Sequence, residues 1–291
     1  MNRLLPILTV VLAIIGIWYA GAVWLNANWA YDKAQRAGVE LSFGEMVTDT
    51  MTQEKPRLPP PHQVAAEIWK TTGAMAQRGR AFSKRSLIWH GWITLSSTLL
   101  GFAFGTALGI LLAIGIVHSR AMDMSVMPWV IASQTVPILA IAPMIVVVLA
   151  SLRVDDLVAK GVISMYLSFF PVVVGMVKGL RSPDAMQMDQ MKTWHASQAQ
   201  TFWKLRLPAS MPYLFASLKV GVAASLIGAV VAELSLSQKG GLGARLLAGS
   251  YYGQTIQIWS ALLAAATLAA ILVMAIGLIQ GATLRRMGFT R

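Results

Sequence analysis

The stretch HASQAQTFWKLRLPASMP, residues 195–212, is a polar, proline-bounded insertion in a chain that is otherwise mostly apolar. Ser197 and Gln200 stand three residues apart, the spacing of a capping box in which a hydroxyl and an amide satisfy the free N–H groups at a helix start. A short helix over about 198–206 is expected, ending before Pro208 because a residue preceding proline is pushed away from the helical region. Ala199, Phe202, Trp203 and Arg206 recur at three- to four-residue spacing and give that helix an aromatic face beside a basic one. Upstream, Ser182-Pro183-Asp184 supplies a hydroxyl cap, a proline for the first helical position and an acid for the first turn. The helix it opens runs through AMQMDQMKTW and breaks at His195, while Pro212 opens the next apolar run. The loop at 180–212 therefore reads as a preformed helix–turn–helix element. Its aromatic face either docks in a partner's groove or packs on the chain's own aqueous end.

The surroundings of this loop fix the class. Of 291 residues, 56% are hydrophobic and 12% charged, and the mean hydropathy is +0.61. Soluble domains carry about a quarter charged residues. Six apolar runs have the length needed to cross a bilayer: 4–25, 91–117, 124–151, 157–179, 212–235 and 255–281. The expected fold is an all-α polytopic membrane protein of about six transmembrane helices. It divides into a first transmembrane helix (1–25), a polar segment (26–90) and a core of five spans (91–285). The first run is too long for the apolar region of a signal peptide and is read as a retained span. In the polar segment, RLPPPHQV favours extended geometry, and Pro61 suits the first turn of an amphipathic helix carrying Val64, Ile68 and Trp69.

Lys and Arg in the short loops set the orientation. One side collects Arg3, Arg120, Lys178, Arg181, Lys192, Lys204, Arg206, Arg285, Arg286 and Arg291; the other holds Arg153, Lys160, Lys239 and Arg245. Both termini and the 180–212 loop are thus expected in the cytoplasm and the 26–90 segment outside. The basic run Arg78–Arg85 disagrees. The net charge of +12 follows from topology and anionic lipid rather than nucleic acid, for which no basic tail or aromatic-basic platform exists. Without cysteine the chain has no disulfide, thiolate ligand or thiol nucleophile. His62, His90, His118 and His195 are scattered one per segment, so a shared metal site is not expected.

Within the spans, Gly101, Gly105, Gly109 and Ala113 form a small-residue stripe that favours close helix packing inside the chain. Pro137, Pro143 and Pro171 each remove a backbone hydrogen bond. Either they kink packed helices, or the freed carbonyls near Gln134 and Thr135 line a polar path. Tyr166, Ser168 and Ser225 are further candidates for that path. Lys219 and Glu233 lie about 21 Å apart along one helix and cannot pair. Lys219 snorkels towards the cytoplasmic end; Glu233, near the outer end, faces water or the bundle and is also a pathway candidate. SQKGGLGARL, residues 237–246, lacks the P-loop spacing and is read as a turn between spans.

The 180–212 segment resembles the cytoplasmic signature loop of binding-protein-dependent ABC transporter permeases. Asp189-Gln190-Met191 stands where that family has Glu-Ala-Ala, His195-Ala196-Ser197 at its Gly-Ala-Ser, Phe202 at a frequent aromatic, and Leu207-Pro208 with Pro212 at the closing prolines. TVPILAIAPMIVV, FFPVVVGMVKGLRS, PYLFASLKVGVAASLIGAVVAEL and GGLG are similar to the nitrate, sulfonate, taurine and pyrimidine-precursor subgroup, so the likeness covers about 58–285. The 26–57 insertion is longer than that subgroup's. The resemblance implies a type I ABC importer (MetI-like) permease fold in the inner membrane, with no catalytic or nucleotide site and no bound cofactor or metal. It further implies two permease copies, in this case a homodimer, and two ATP-binding subunits carrying ATP and Mg. A solute-binding protein docks outside. The coupling residues it implies are Asp189, His195, Ala196, Ser197, Gln198, Phe202, Trp203, Leu207, Pro208 and Pro212. The alternative is a secondary transporter or other polytopic protein not coupled to ATP, which should show paired repeats and intramembrane ion ligands. Small anions and sulfonates compete with pyrimidine-like or aromatic solutes as cargo.

Overall fold

The computed structural model describes residues 4–236 and 239–288; Arg3, Arg291, Ser237 and Gln238 lie outside the described residues. The helices are α1 (Leu4–Ala37), α2 (Phe43–Thr52), α3 (Pro61–Thr71), α4 (Gly73–Gln77), α5 (Leu87–His118), α6 (Arg120–Ala132), α7 (Ile138–Ser151), α8 (Asp156–Leu180), α9 (Ala185–Thr193), α10 (Gln198–Thr201), α11 (Leu207–Ser235), α12 (Leu242–Tyr251) and α13 (Thr255–Arg286). A 3-10 turn, Ser133–Thr135, joins α6 to α7, and a π turn, Phe202–Arg206, joins α10 to α11. Five of the helices are long and apolar enough to cross a membrane, and the bent pair α6–α7 makes a sixth candidate. The chain is thus an all-helical, multi-pass membrane protein among the described residues. It forms two units, Met1–His90 with Ala244–Ala264, and Gly91–Gly243 with Ala265–Arg291.

In the first unit the opening helix is longer than expected. It runs twelve residues past Leu25, from Leu4 to Ala37. Gly38, at φ +66°, ends it, with Gly38 N–H donating to Gln35 O and Val39 N–H to Ala34 O. The polar segment holds more helix than the one expected: α2 and α4 accompany α3, which does begin at Pro61. Asn26 organises it. Fully buried, it accepts from Arg57 N–H at 2.8 Å and Leu58 N–H at 3.2 Å and donates to Leu58 O at 2.8 Å. Trp18 Nε1–H donates to Pro59 O at 3.0 Å. The 26–57 insertion is therefore folded against α1. Lys33, 2.9 Å away, holds the Asp49 carboxyl of α2 below the usual carboxylate range. Val64 of α3 is buried, but Trp69 turns outward over Gly73, which has no side chain to oppose the ring.

In the second unit α8 is the centre. A Cβ on Gly101 would sit 2.2 Å from Ser164 Cβ, one on Gly105 2.0 Å from Ser168 Oγ, and one on Gly109 2.8 Å from Val172 Cβ. The stripe is an intrachain seam, and its ascending partners show α5 and α8 running parallel. On another side of α8, Gly175 faces Ser217, Gly179 faces Ser210, and Gly228 faces Ser164. That order is antiparallel and closes α11 onto α8 along its length. Small residues let these backbones approach where lipid supplies no hydrophobic drive between helices.

The third span, expected over 124–151 with Pro137 either kinking it or lining a path, is broken there. α6 and α7 meet at 101°. Val136, restricted by the proline after it, is extended at φ −85°, ψ 121°, and Pro137 caps α7. Ser133 and Thr135 hydroxyls donate to Val130 O and Ala132 O, competing with the helix for those carbonyls. The pair still crosses rather than turning back. α6 packs through Val130 beside Val173, Met176 and Leu180 near the end of α8, whereas α7 packs through Ala142 and Val146 beside Ile163 near its start. Parallel α5 and α8 require the same crossing.

Two further expectations change. Lys160 is no loop residue: Asp155 caps α8 one position before the helix begins, leaving Lys160 buried inside it. The 237–246 stretch is more than a turn, because α12 starts at Leu242.

Candidate functional site

The 180–212 element lies at the end of α8 and the start of α11, and its local structure follows from its caps. Asp184, not Ser182, is the N-cap of α9: its side chain accepts from Gln187 N–H at 2.7 Å while Gln187 Oε1 accepts from Asp184 N–H at 3.2 Å. A carboxylate cap with glutamine three residues on completes the reciprocal pair that Ser182 lacks. Asp189 is exposed and pairs with Lys192 at 2.8 Å.

The break at His195 is as expected. His195 sits at φ 51°, its N–H donating to Lys192 O and that of Ala196 to Met191 O, both at 2.9 Å. These are the two crossed bonds of a glycine-type helix terminus, made here with an imidazole-bearing residue. Ser197 then caps α10 with Gln200, Ser197 N–H donating to Gln200 Oε1 at 2.9 Å and Gln200 N–H to Ser197 Oγ at 3.2 Å. Gln198 opens the helix, exposed.

The expected end before Pro208 does not occur. From Gln198 to Ser235 the helix is continuous. Leu207 N–H reaches back five residues to Phe202 O, so the chain takes one wide turn where proline could not accept an ordinary one. Leu207 keeps helical angles, φ −65° and ψ −48°, despite preceding Pro208, and Pro212 lies inside α11 rather than opening it. The two aromatic rings, edge-on to each other at 5.3 Å, take different surroundings. Phe202 turns inward, edge-on to His118 at 5.4 Å and against the Val173–Leu180 core. Trp203 stays 65% exposed. Between α9 and the helix from Gln198 lies an open groove of about 400 Å³ lined by Gln190, Trp194, Ala196, Gln200 and Lys204.

The pathway candidates fall into three places. Gln134 and Thr135 are exposed at the α6–α7 break, and half-buried Tyr166 of α8 reaches it, donating from its hydroxyl to Ser133 O. Ser168 and Ser225 are fully buried between helices, donating to Gly101 O at 3.3 Å and Thr98 O at 2.8 Å. Glu233 faces neither water nor lipid. Its carboxylate accepts from Thr94 Oγ1 at 2.9 Å and Gly243 N–H at 2.8 Å, while Leu242 N–H donates to Thr94 Oγ1. Gly241, at φ +121°, wraps the carboxylate so closely that a Cβ there would lie 2.1 Å from Glu233 Cδ. Lys160 Nζ donates to Gly240 O at 3.2 Å. The glycine-rich loop thus encloses the Glu233 carboxyl group at the N-terminus of α12. Thr94 was missed from the sequence, being separated from Glu233 by 139 positions. Lys219 is half-buried against Gly277.

Residues 105–288 match the family of the binding-protein-dependent transport system inner membrane component. The chain belongs to that family. Among its relatives, a probable ABC transporter permease protein of Haemophilus influenzae is 32% identical over 57% of this chain and 66% of its own length. The formylaminopyrimidine transport permease protein of Halalkalibacterium halodurans is 31% identical over 52% of this chain and 58% of its own. The riboflavin transport system permease protein of Chloroflexus aurantiacus is 27% identical over 64% of each. The chain therefore spans less than two thirds of the length of these family members. The family match contains the whole capped element, the break in the third span and the Glu233 loop.

Proposed function

We propose that this chain is the membrane-spanning subunit of an ATP-driven ABC importer in the inner membrane. It forms the pathway for a small solute handed over by an extracytoplasmic binding protein. Hydrolysis, with its ATP and Mg, belongs to a separate subunit, two copies of which serve a homodimer of this chain; the chain itself is no enzyme. Both termini and the 180–212 element face the cytoplasm, consistent with six crossings and the Lys and Arg distribution.

The observation that carries this reading is the mechanical continuity of the capped element. A docking helix on a slack tether would lose any push it received. Here the helix from Gln198 is the N-terminal end of α11 itself, and α11 is sealed to α8 by close glycine contacts. Asp189, His195, Ala196, Ser197, Gln198, Leu207, Pro208 and Pro212 build the shape of the element, and Trp203 presents an exposed aromatic face to a groove on the ATP-binding subunit. Gln134, Thr135, Tyr166, Ser168, Ser225 and Glu233 are assigned to the pathway and its walls.

The test is co-purification with its ATP-binding subunit. Trp203→Glu is expected to abolish the complex while far-UV circular dichroism and thermal unfolding of the isolated chain stay unchanged. Normal assembly of that variant contradicts docking through this face. Phe202 makes a poorer probe, because its ring also supports the chain's own core.

A further inference from the structure

The break in the third span leaves a particular backbone group to be satisfied. In an α-helix the carbonyl of Ser133 accepts from the N–H four residues on, and position 137 is proline, which has none. At membrane depth an unsatisfied carbonyl is costly, and irregular backbone persists only where protein or a watery cavity satisfies it. Tyr166 of α8 donates its hydroxyl to that same carbonyl. Its ring is steadied by Phe169, at 6.2 Å between centroids. We propose that Tyr166 is a positioning residue of the transport cycle: a clasp that holds the α6–α7 hinge to α8 and makes the hinge follow the α8–α11 pair. This rests on the importer reading above.

First, the hinge is held by one exchangeable contact. With Pro137 in place, Ser133 O has no N–H four residues on to accept from; it accepts from the Tyr166 hydroxyl, and loss of that donor frees the hinge from α8. Second, α8 and α11 are locked together by close contacts at Gly175, Gly179 and Gly228, so they shift together rather than slide. Third, α11 is continuous with the helix at Gln198. A displacement imposed there reaches Tyr166 through packed backbone, and Tyr166 meets the third span where it can bend. Gln134 and Thr135, exposed beside the clasp, change surroundings when it opens.

The test uses the chain's lack of cysteine. Spin labels on cysteines introduced at exposed Met124 of α6 and Val147 of α7 report the hinge by pulsed dipolar spectroscopy. The protein is reconstituted in nanodiscs with its ATP-binding subunit, with and without a non-hydrolysable ATP analogue. In the unsubstituted chain the analogue shifts the distance distribution. In Tyr166→Phe the distribution is broad and no longer responds, ATP hydrolysis continues, and solute moved per ATP falls about fivefold or more.

A purely structural role would not separate hydrolysis from transport. A thermal-stability cycle gives a second readout: Pro137→Ala restores an N–H for Ser133 O, so Tyr166→Phe costs less in that background. An unchanged response with an unchanged transport-to-hydrolysis ratio overturns the clasp, as does strict additivity in the cycle. Unsubstituted chain that shows no ATP-dependent uptake overturns the importer reading, and the clasp with it.

Discussion

His195 occupies a left-handed position where helices most often end in glycine, and both of its crossed hydrogen bonds are intact. A side chain there costs about 1 kcal/mol relative to glycine. His195→Gly is therefore expected to leave the fold unchanged and raise thermal stability by about that amount, with transport equal or slightly faster. A marked loss of transport at unchanged stability would show that the imidazole itself makes a contact in the assembly. The residue scale also separates two aromatics that the sequence pairs. Phe202 and Trp203 read as one aromatic face, but consecutive helical residues point about 100° apart: Phe202 packs on the core while Trp203 stays exposed, and a wide turn lies ahead of Pro208. That turn was not legible in advance, because helical spacing assumes ordinary turns.

At the scale of elements, the stripe Gly101, Gly105, Gly109 was legible as a packing seam because three- to four-residue spacing survives any helix. What it packs on was not, since the partners Ser164, Ser168 and Val172 lie on a helix more than fifty residues away. Even one methyl at Gly105 would meet Ser168 Oγ, whereas a Cβ on Gly281 of α13 has nothing within 4 Å. Gly105→Ala is expected to cost about 1–3 kcal/mol through forced separation of α5 from α8. Gly281→Ala should leave stability the same or slightly higher. Detergent-stability assays on the two variants check the contrast, and equal behaviour would contradict the seam.

The third span teaches the complementary lesson. Pro137 announced a weak point, yet a proline kink and a 101° break are indistinguishable in sequence. The difference is made by Ser133, Thr135 and the distant Tyr166. Likewise the Asn26 node and the Glu233 loop depend on partners 31 and 139 positions away, beyond the reach of local pattern.

For the whole molecule, the apolar runs and the charge asymmetry were enough to reach a multi-pass membrane protein, and the resemblance of the 180–212 loop and its flanking stretches to the permease signature supplied the family, whose model matches residues 105–288. The account built on that membership is mechanical: a stiff aqueous element continuous with α11, a sealed α11–α8 pair, and a hinge in the neighbouring span. The 26–57 insertion adds a folded ledge on α1, held by Asn26. The most direct test is uptake by proteoliposomes holding this chain, its ATP-binding subunit and the solute-binding protein with its bound ligand. Accumulation is expected to require ATP, to survive collapse of ion gradients and to disappear with Trp203→Glu. Uptake driven by an ion gradient without ATP would contradict the importer reading.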